Sequence, residues 1–295
     1  MAKYQVKMVL DIHAQLAECP TWSVKEQALY FVDILSNIIH RYEPTTAGHS
    51  TIAVHENIGS FGLREQGGFV AAMRSGIFLL DATGNMERQI AKNPTGSEDS
   101  RFNDGKVDPW GRFWCGTLWE TDHQANSVFC YLDENFKLHH VVENLEITNG
   151  LAFSPDKKWF YFTDTPHHVL YRQALDPQHG QPLGKKQIVK LFNKSGYHGQ
   201  PDGAAFDEEG CYWSAQFADG CIFRLSACGE LLDEIKLPVK WPTMITFGDK
   251  DLKTLYITTS RENLSAEQLN QYPQAGNLFS VKVNVAGLAT YMFKG

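Results

Sequence analysis

The sequence predicts an all-β protein: a six-bladed β-propeller whose four-stranded antiparallel blades surround a central channel. Three observations carry that expectation. A short pattern recurs, in which a polar residue is followed four positions on by an aromatic in the best copies, then by a turn and an apolar, strand-like run. Its copies open at residues 18, 60, 104, 149, 202 and 243, so their spacings run from 41 to 53 residues. A period near ~45 residues, rich in short strands, marks propeller blades. No long 3.6-residue periodicity interrupts the series.

The elements follow in order. YQVKMVLDI at 4–12 precedes the first copy and is expected to lend a strand to the last blade, closing the sheet edges left open by the ring. The first copy opens at Glu18, with Trp22 four residues on and ALYFVD after the turn. The second and weakest starts near Ser60 and is marked by QGG and FVAAM. The third opens at Asp104-Gly105, with turn DPWG and strand RFWCGT. Asn149-Gly150 opens the fourth, with Phe153, SPDKK and WFYFTD. Asp202-Gly203 opens the fifth, with Phe206, DEEG and CYWSAQ. Thr243 opens the sixth, with Phe247, GDKD and TLYITTS. AEQLNQY at 266–272 suffices for a turn or two of helix, and NLFSVKVNV at 277–285 belongs to the last blade. One domain over residues 1–295 is expected.

A chain of 295 residues with 43% apolar composition can bury a large core. The net charge of −7 and the lack of a Lys/Arg stripe argue against a nucleic-acid partner. No apolar run approaches a membrane span, and MAKYQVKMVLDIHAQLAE has no apolar signal core. No membrane partner and a cytoplasmic location are the expectations. The six cysteines form no C-x-x-C and read as buried free thiols.

In a propeller, residues that open the innermost strands gather at one mouth of the channel. Glu18, Asn149 and Asp202, with Asn103 or Asp104, would bring two or more carboxylates and an amide oxygen together. Oxygen-only ligands suit a hard divalent cation. Without one, such carboxylates repel and raise each other's pKa. Asx-Gly pairs are also ordinary turn residues. Glu18 holds the same register and is a poor turn residue. No G-x-S-x-G or phosphate-binding loop is present. His198 reads as an exposed loop residue, and the paired His139-His140 and His167-His168 point to opposite strand faces.

Five stretches, AECPTW (17–22), SRFNDGKVDPWGRFWCGT (100–117), ITNGLAFSPD (147–156), PDGAAFD (201–207) and QAGNLFSV (274–281), occur in order. By these the chain resembles the senescence marker protein/regucalcin and gluconolactonase family over nearly its whole length. The resemblance implies a six-bladed propeller that hydrolyses a sugar (aldono) lactone to the open-chain acid with one divalent metal. Ca²⁺, Zn²⁺, Mn²⁺, Mg²⁺ and Fe²⁺ all suit its ligands. It implies Glu18, Asn149 and Asp202 as metal ligands, Asp202 doubling as general base. Arg101, Asn103 and Glu120 would contact the substrate, with Asn103 a further ligand as the alternative. Loops at 119–127 and 193–200 are expected to choose the sugar. Two points stand apart from the family pattern. Cys19 occupies a position where the family carries Gly. The repeat register selects Asp104 where the family selects Asn103, and neighbouring side chains ordinarily diverge. Two other functions fit the same scaffold: a metal-dependent esterase or phosphotriesterase, and a non-catalytic calcium-binding propeller.

Overall fold

Runs such as ALYFVD and FVAAM are buried along their whole length. Apolar residues on both strand faces require a neighbouring sheet on each side. The computed structural model, which describes residues 3–121, 126–193, 196 and 198–295, supplies one. Residues 122–125, 194, 195 and 197, within the two loops expected to choose the sugar, lie outside the described residues.

Six four-stranded antiparallel sheets form the blades. Blade one is β2 (Ala17–Ser23), β3 (Ala28–Asp33), β4 (Ile38–Glu43) and β5 (Gly48–Ala53). Blade two is β6 (Ile58–Leu63), β7 (Phe69–Met73), β8 (Gly76–Leu80) and β9 (Met86–Lys92). Blade three is β10 (Ser100–Val107), β11 (Phe113–Trp119), β12 (Ser127–Leu132) and β13 (Leu138–Leu145). Blade four is β14 (Thr148–Phe153), β15 (Trp159–Asp164), β16 (Val169–Leu175) and β17 (Pro182–Leu191). Blade five is β18 (Gln200–Phe206), β19 (Tyr212–Phe217), β20 (Cys221–Leu225) and β21 (Leu231–Lys236). Blade six joins β22 (Pro242–Gly248), β23 (Thr254–Thr259) and β24 (Leu278–Lys282) to β1 (Lys7–Leu10), which pairs with β24 as the outermost strand. The first strands pack on one another around a ring, β22 closing onto β2. They are the inner strands of a six-bladed propeller. A short helix α1 (Ala266–Gln271), opened by a Ser265/Gln268 capping box, lies between β23 and β24. No helix among the described residues is long and apolar enough to cross a membrane.

The apolar core divides into clusters between adjacent blades. Blades one and six share Trp22, Leu29, Tyr256 and Leu278, where Trp22 and Tyr256 stack with centroids 5.7 Å apart. Five cysteines are buried free thiols; Cys228 is exposed.

The repeated turns carry a shared polar device. In blade three the fully buried Asp108 accepts from the Trp110 and Arg112 backbone N–H groups, from Arg112 Nε at 2.6 Å and from Trp114 Nε1 at 2.7 Å. In blade five Asp207 accepts from Cys211 N, Trp213 Nε1 and Arg224 Nε, each within 2.9 Å. Both follow an Asp-x₅-Trp spacing, in DPWGRFW and DEEGCYW. Asp108→Ala leaves the buried Arg112 guanidinium without its counter-charge and strands its Nε–H and the Trp114 indole N–H, although Nη1 and Nη2 still donate to His179 O and Gly180 O. A loss of about 3–5 kcal/mol in urea unfolding is expected, and a change below about 1 kcal/mol would show that the network holds nothing together.

The C-terminal segment crosses the end of the channel reached by the inner strands' last residues. Leu288 N bonds Phe206 O in blade five, Phe293 N bonds Leu63 O in blade two, and Lys294 N bonds Gly111 O in blade three. Beneath it lies a largely apolar pocket lined by Lys106, Val107, Phe153, Phe206, Phe247 and Leu288.

Candidate active site

At the opposite end, the inner strands are all bulged. The pairing of each with its second strand slips between Glu18 and Thr21, Ile58 and Ser60, Phe102 and Gly105, Asn149 and Ala152, Pro201 and Ala204, and Pro242 and Ile245. A bulge breaks the two-residue alternation and re-aims side chains. The residues that open the six repeats sit at these slips, and all are buried. The Asx-Gly pairs are therefore strand bulges, not exposed turns. Gly150 is required there: its φ is +65°, and a Cβ would stand 2.4 Å from the Tyr212 hydroxyl.

Cys19 takes the same left-handed backbone, with φ of +50°. A residue that stands where the resemblance implies Gly thus adopts a backbone conformation that glycine enters most easily. The Cys19 thiol is turned onto blade two, where Sγ accepts from Phe61 N at 3.4 Å. Burial pushes the thiol up to about 12, so it is neutral at physiological pH.

Glu18, Asp104 and Asp202 form one electrostatic group. Burial raises Glu18 to about 8, and the Asp104 charge adds to the rise. Burial raises Asp202 well above the ordinary carboxylate value, followed by the charges of Glu18 and then Asp104. Asp104 rises to about 6 through burial. These carboxylates have few partners. Glu18 Oε2 accepts from Cys19 N at 3.1 Å, whereas Asp202 Oδ1 and Asp104 Oδ1 are buried with no hydrogen bond.

Amides join the carboxylates. Asn103 Nδ2 donates to Asn149 Oδ1 at 2.8 Å and to Thr148 O at 2.9 Å, and Asn149 Nδ2 donates to Thr165 Oγ1 at 2.9 Å. Asn103 Oδ1 accepts from Arg101 Nη1 at 3.0 Å. Both Asn103 and Asp104 reach the channel, although neighbouring residues ordinarily diverge. The bulge between Phe102 and Gly105 removes that alternation.

Arg101 leads from this group to the rim. It is buried, and its Nε lies 3.3 Å from Glu120 Oε1. Glu120 is also gripped by Arg74, through Nη2 to Oε1 and Nη1 to Oε2, each 2.9 Å. Burial raises the Glu120 carboxyl, but the Arg74 hydrogen bond and the Arg74 and Arg101 charges outweigh it, and the net shift is downward. Glu262, in the loop after β23, is close enough to feel Arg101 and Glu120, and its carboxyl is raised chiefly by burial. His198 is exposed.

Arg74, Glu262 and Thr165 are absent from the sequence expectations, yet a signal for two of them exists. Arg74, Glu120 and Thr165 each lie one residue past the second strand of their blade. A second repeated device was also legible: ALYFVD and WFYFTD both end in Asp. Asp33 accepts from the N–H groups of Gln15 and Leu16, and Asp164 from those of Glu146 and Ile147. Each carboxylate thus pins the chain just ahead of Glu18 or Asn149.

An axial set of buried oxygen groups, ringed by Arg and Glu, can hold a cation and a polyhydroxylated molecule above it. A 6-deoxy-6-sulfogluconolactonase from Pseudomonas putida is 52% identical over 290 residues, covering 98% of this chain and 99% of that protein. Regucalcin from Oryctolagus cuniculus is 31% identical, with both chains fully covered at 100%. The crystal structure of the calcium-binding protein regucalcin from Agrobacterium tumefaciens matches with a TM-score of 0.93 at 25% identity, covering 99% of this chain and 98% of that one. Residues 16–261 match the family described as SMP-30/Gluconolactonase/LRE-like region, and the chain belongs to that family.

Proposed function

We propose that the protein hydrolyses a sugar lactone to its open-chain aldonic acid, using one divalent cation held by Glu18, Asn149 and Asp202. Lactone hydrolysis, a carboxylic-ester hydrolase activity, rests on the 52% identity to a sulfogluconolactonase along almost the entire chain. The reading of the site rests on one observation: buried carboxylates that repel one another share the channel mouth, and Asp202 Oδ1 has no partner.

The residues fit such a cation. Their donors are all oxygen, which suits a hard dication. Among the described residues no three His, Cys, Asp or Glu side chains form a metal cluster. Asn149 would be the neutral third donor beside the carboxylates of Glu18 and Asp202. When bound, the cation supplies positive charge that polarises the lactone carbonyl and stabilises the oxyanion. Asp202 takes a proton from the attacking water with its unpartnered oxygen and returns one to the ring oxygen as it leaves. The water oxygen first bonds to the carbonyl carbon, giving a tetrahedral oxyanion, and its collapse then breaks the bond from that carbon to the ring oxygen. Asn103 fixes the Asn149 oxygen and, through Arg101, couples it to the rim. Arg101 and Glu120 hold sugar hydroxyls through their fork and paired oxygens.

This charged rim favours a polyol over an aryl ester or a phosphotriester, which call for apolar walls. The decisive panel uses chelator-treated protein with Ca²⁺, Zn²⁺, Mn²⁺, Mg²⁺ or Fe²⁺ restored singly. Its substrates are a five-membered aldonolactone, gluconolactone, 6-deoxy-6-sulfogluconolactone and paraoxon. Cation-dependent opening of a sugar lactone above background is expected. Paraoxon turnover alone, or cation binding with no turnover, contradicts the proposal.

Arg101→Leu removes charged hydrogen bonds to the substrate in ground and transition states alike. KM is expected to rise about 10–100-fold while kcat changes less. An unchanged KM would take Arg101 out of substrate binding.

A further inference from the structure

Two charged residues of FNDGKV are unused by the mechanism above: Asp104 and Lys106. Asp104 grips the adjacent blade four and Lys106 reaches beyond it to blade five, each just past a proposed ligand. Asp104 Oδ2 accepts from Leu151 N at 2.7 Å, two residues after Asn149. Lys106 Nζ donates to Ala204 O at 2.7 Å, two residues after Asp202. The other Asp104 oxygen is buried without a partner. Lys106 is the cation that acts most strongly on Asp104, and Asp104 acts in turn on Glu18 and Asp202. The groups form a column down the channel, from Glu18 and Asp202 at the mouth through Asp104 to Lys106 beside the apolar pocket. Arg101, the other nearby cation, is matched at the rim by Glu120.

We propose that Asp104 and Lys106 are positioning residues that set the charge of the cation site, with three carboxylates and one ammonium leaving a net −2 that one dication neutralises. The inference rests on the cation reading given above. Asp104 adds attraction from below without needing to be a ligand, and Lys106 limits that attraction so that the axis is not left with a third unbalanced charge. In a partly desolvated channel these charges are screened little, so each is felt at the mouth.

The two residues act with opposite signs, which separates electrostatic tuning from structural support. Asp104→Asn retains an oxygen for the Leu151 N–H and removes the charge with little change in volume. The measurement is Ca²⁺ and Mn²⁺ affinity by competition with a chelating dye at pH 8.5 and fixed ionic strength. Asp104→Asn is expected to weaken binding about tenfold or more, and Lys106→Met to tighten it about threefold or more. The double variant, neutral at both positions, is expected to return to within about threefold of the unaltered protein. Lys106→Arg, which keeps the charge, is expected to match the unaltered protein and covers the case in which Lys106→Met does not fold. Weakening by both single variants, or no change in Asp104→Asn, overturns the column while leaving the cation site standing. Absence of Ca²⁺ and Mn²⁺ binding in the unaltered protein overturns the cation reading itself, and the column with it.

Discussion

Asp202→Asn is expected to reduce lactone turnover by about 10²–10⁴-fold and to weaken the bound cation in the same step. The rate loss is the usual size for removal of a general base. The affinity loss follows because one of two carboxylates at the mouth becomes a neutral amide. The substitution is nearly isosteric, and Gly203 beside it already packs tightly: a Cβ there would lie 2.3 Å from Met244 Cγ. Folding should therefore survive, and the unfolding midpoint without cation should rise, because a buried repelling charge is gone. That combination of lower turnover, weaker cation and a more stable cation-free protein marks a residue kept for function at a cost in stability. Stopped-flow or pH-indicator assays, dye competition and thermal unfolding read the three quantities. Turnover within threefold of the unaltered protein would remove Asp202 from the mechanism.

The second large effect is on stability as a function of pH. Glu18 ionises near the ordinary glutamate value of 4.5 in the unfolded chain and near 8 in the cation-free fold. Asp104 moves from 3.8 to about 6, and Asp202 moves in the same direction. A carboxyl whose folded value is raised leaves stability intact below the unfolded pKa. Stability then falls as pH rises, because the unfolded chain releases a proton that the fold retains. The fall ends once pH passes the folded value. Its slope is about 1.4 kcal/mol per pH unit for each such group. Cation-free protein is therefore expected to lose melting temperature from about pH 3.8, where Asp104 and Asp202 begin to contribute, up to about pH 8. A bound dication favours the ionised forms, so the stabilisation it brings should be small at pH 5 and large at pH 8. Differential scanning calorimetry with chelator, then with excess Ca²⁺, measures both curves. A cation effect independent of pH would mean that the cation binds away from these carboxylates.

The propeller was legible because its information is periodic. Turn residues, aromatics and apolar runs return at each blade, and even the Ser60 copy, recognised only by QGG and FVAAM, marks β6 and β7. The channel-mouth residues were legible for the same reason. Register alone placed the openings of six inner strands, and the oxygen chemistry of Glu18, Asn149 and Asp202 supplied the rest. Asp104 was harder to read. A two-residue alternation sends Asn103 and Asp104 apart, and only a bulge, which depends on pairing with β11, brings both inward. Arg74 and Glu262 were missed because they act through the folded rim. Glu262 sits in a connection with no periodic signal, whereas Arg74 holds a repeated place one residue past a second strand, but its partner is set only when blades two and three meet. Asp33 and Asp164 show the converse case: a repeated terminal Asp was visible, but its role depends on backbone N–H groups that no sequence pattern names.

A crystal soaked in Mn²⁺ and measured for anomalous scattering tests the central claim most directly. The account predicts a single strong peak at the channel mouth, about 2.0–2.6 Å from oxygens of Glu18, Asn149 and Asp202, and its loss in Asp202→Asn. A peak elsewhere, or an empty mouth in crystals of protein that opens a sugar lactone in excess chelator, would contradict it.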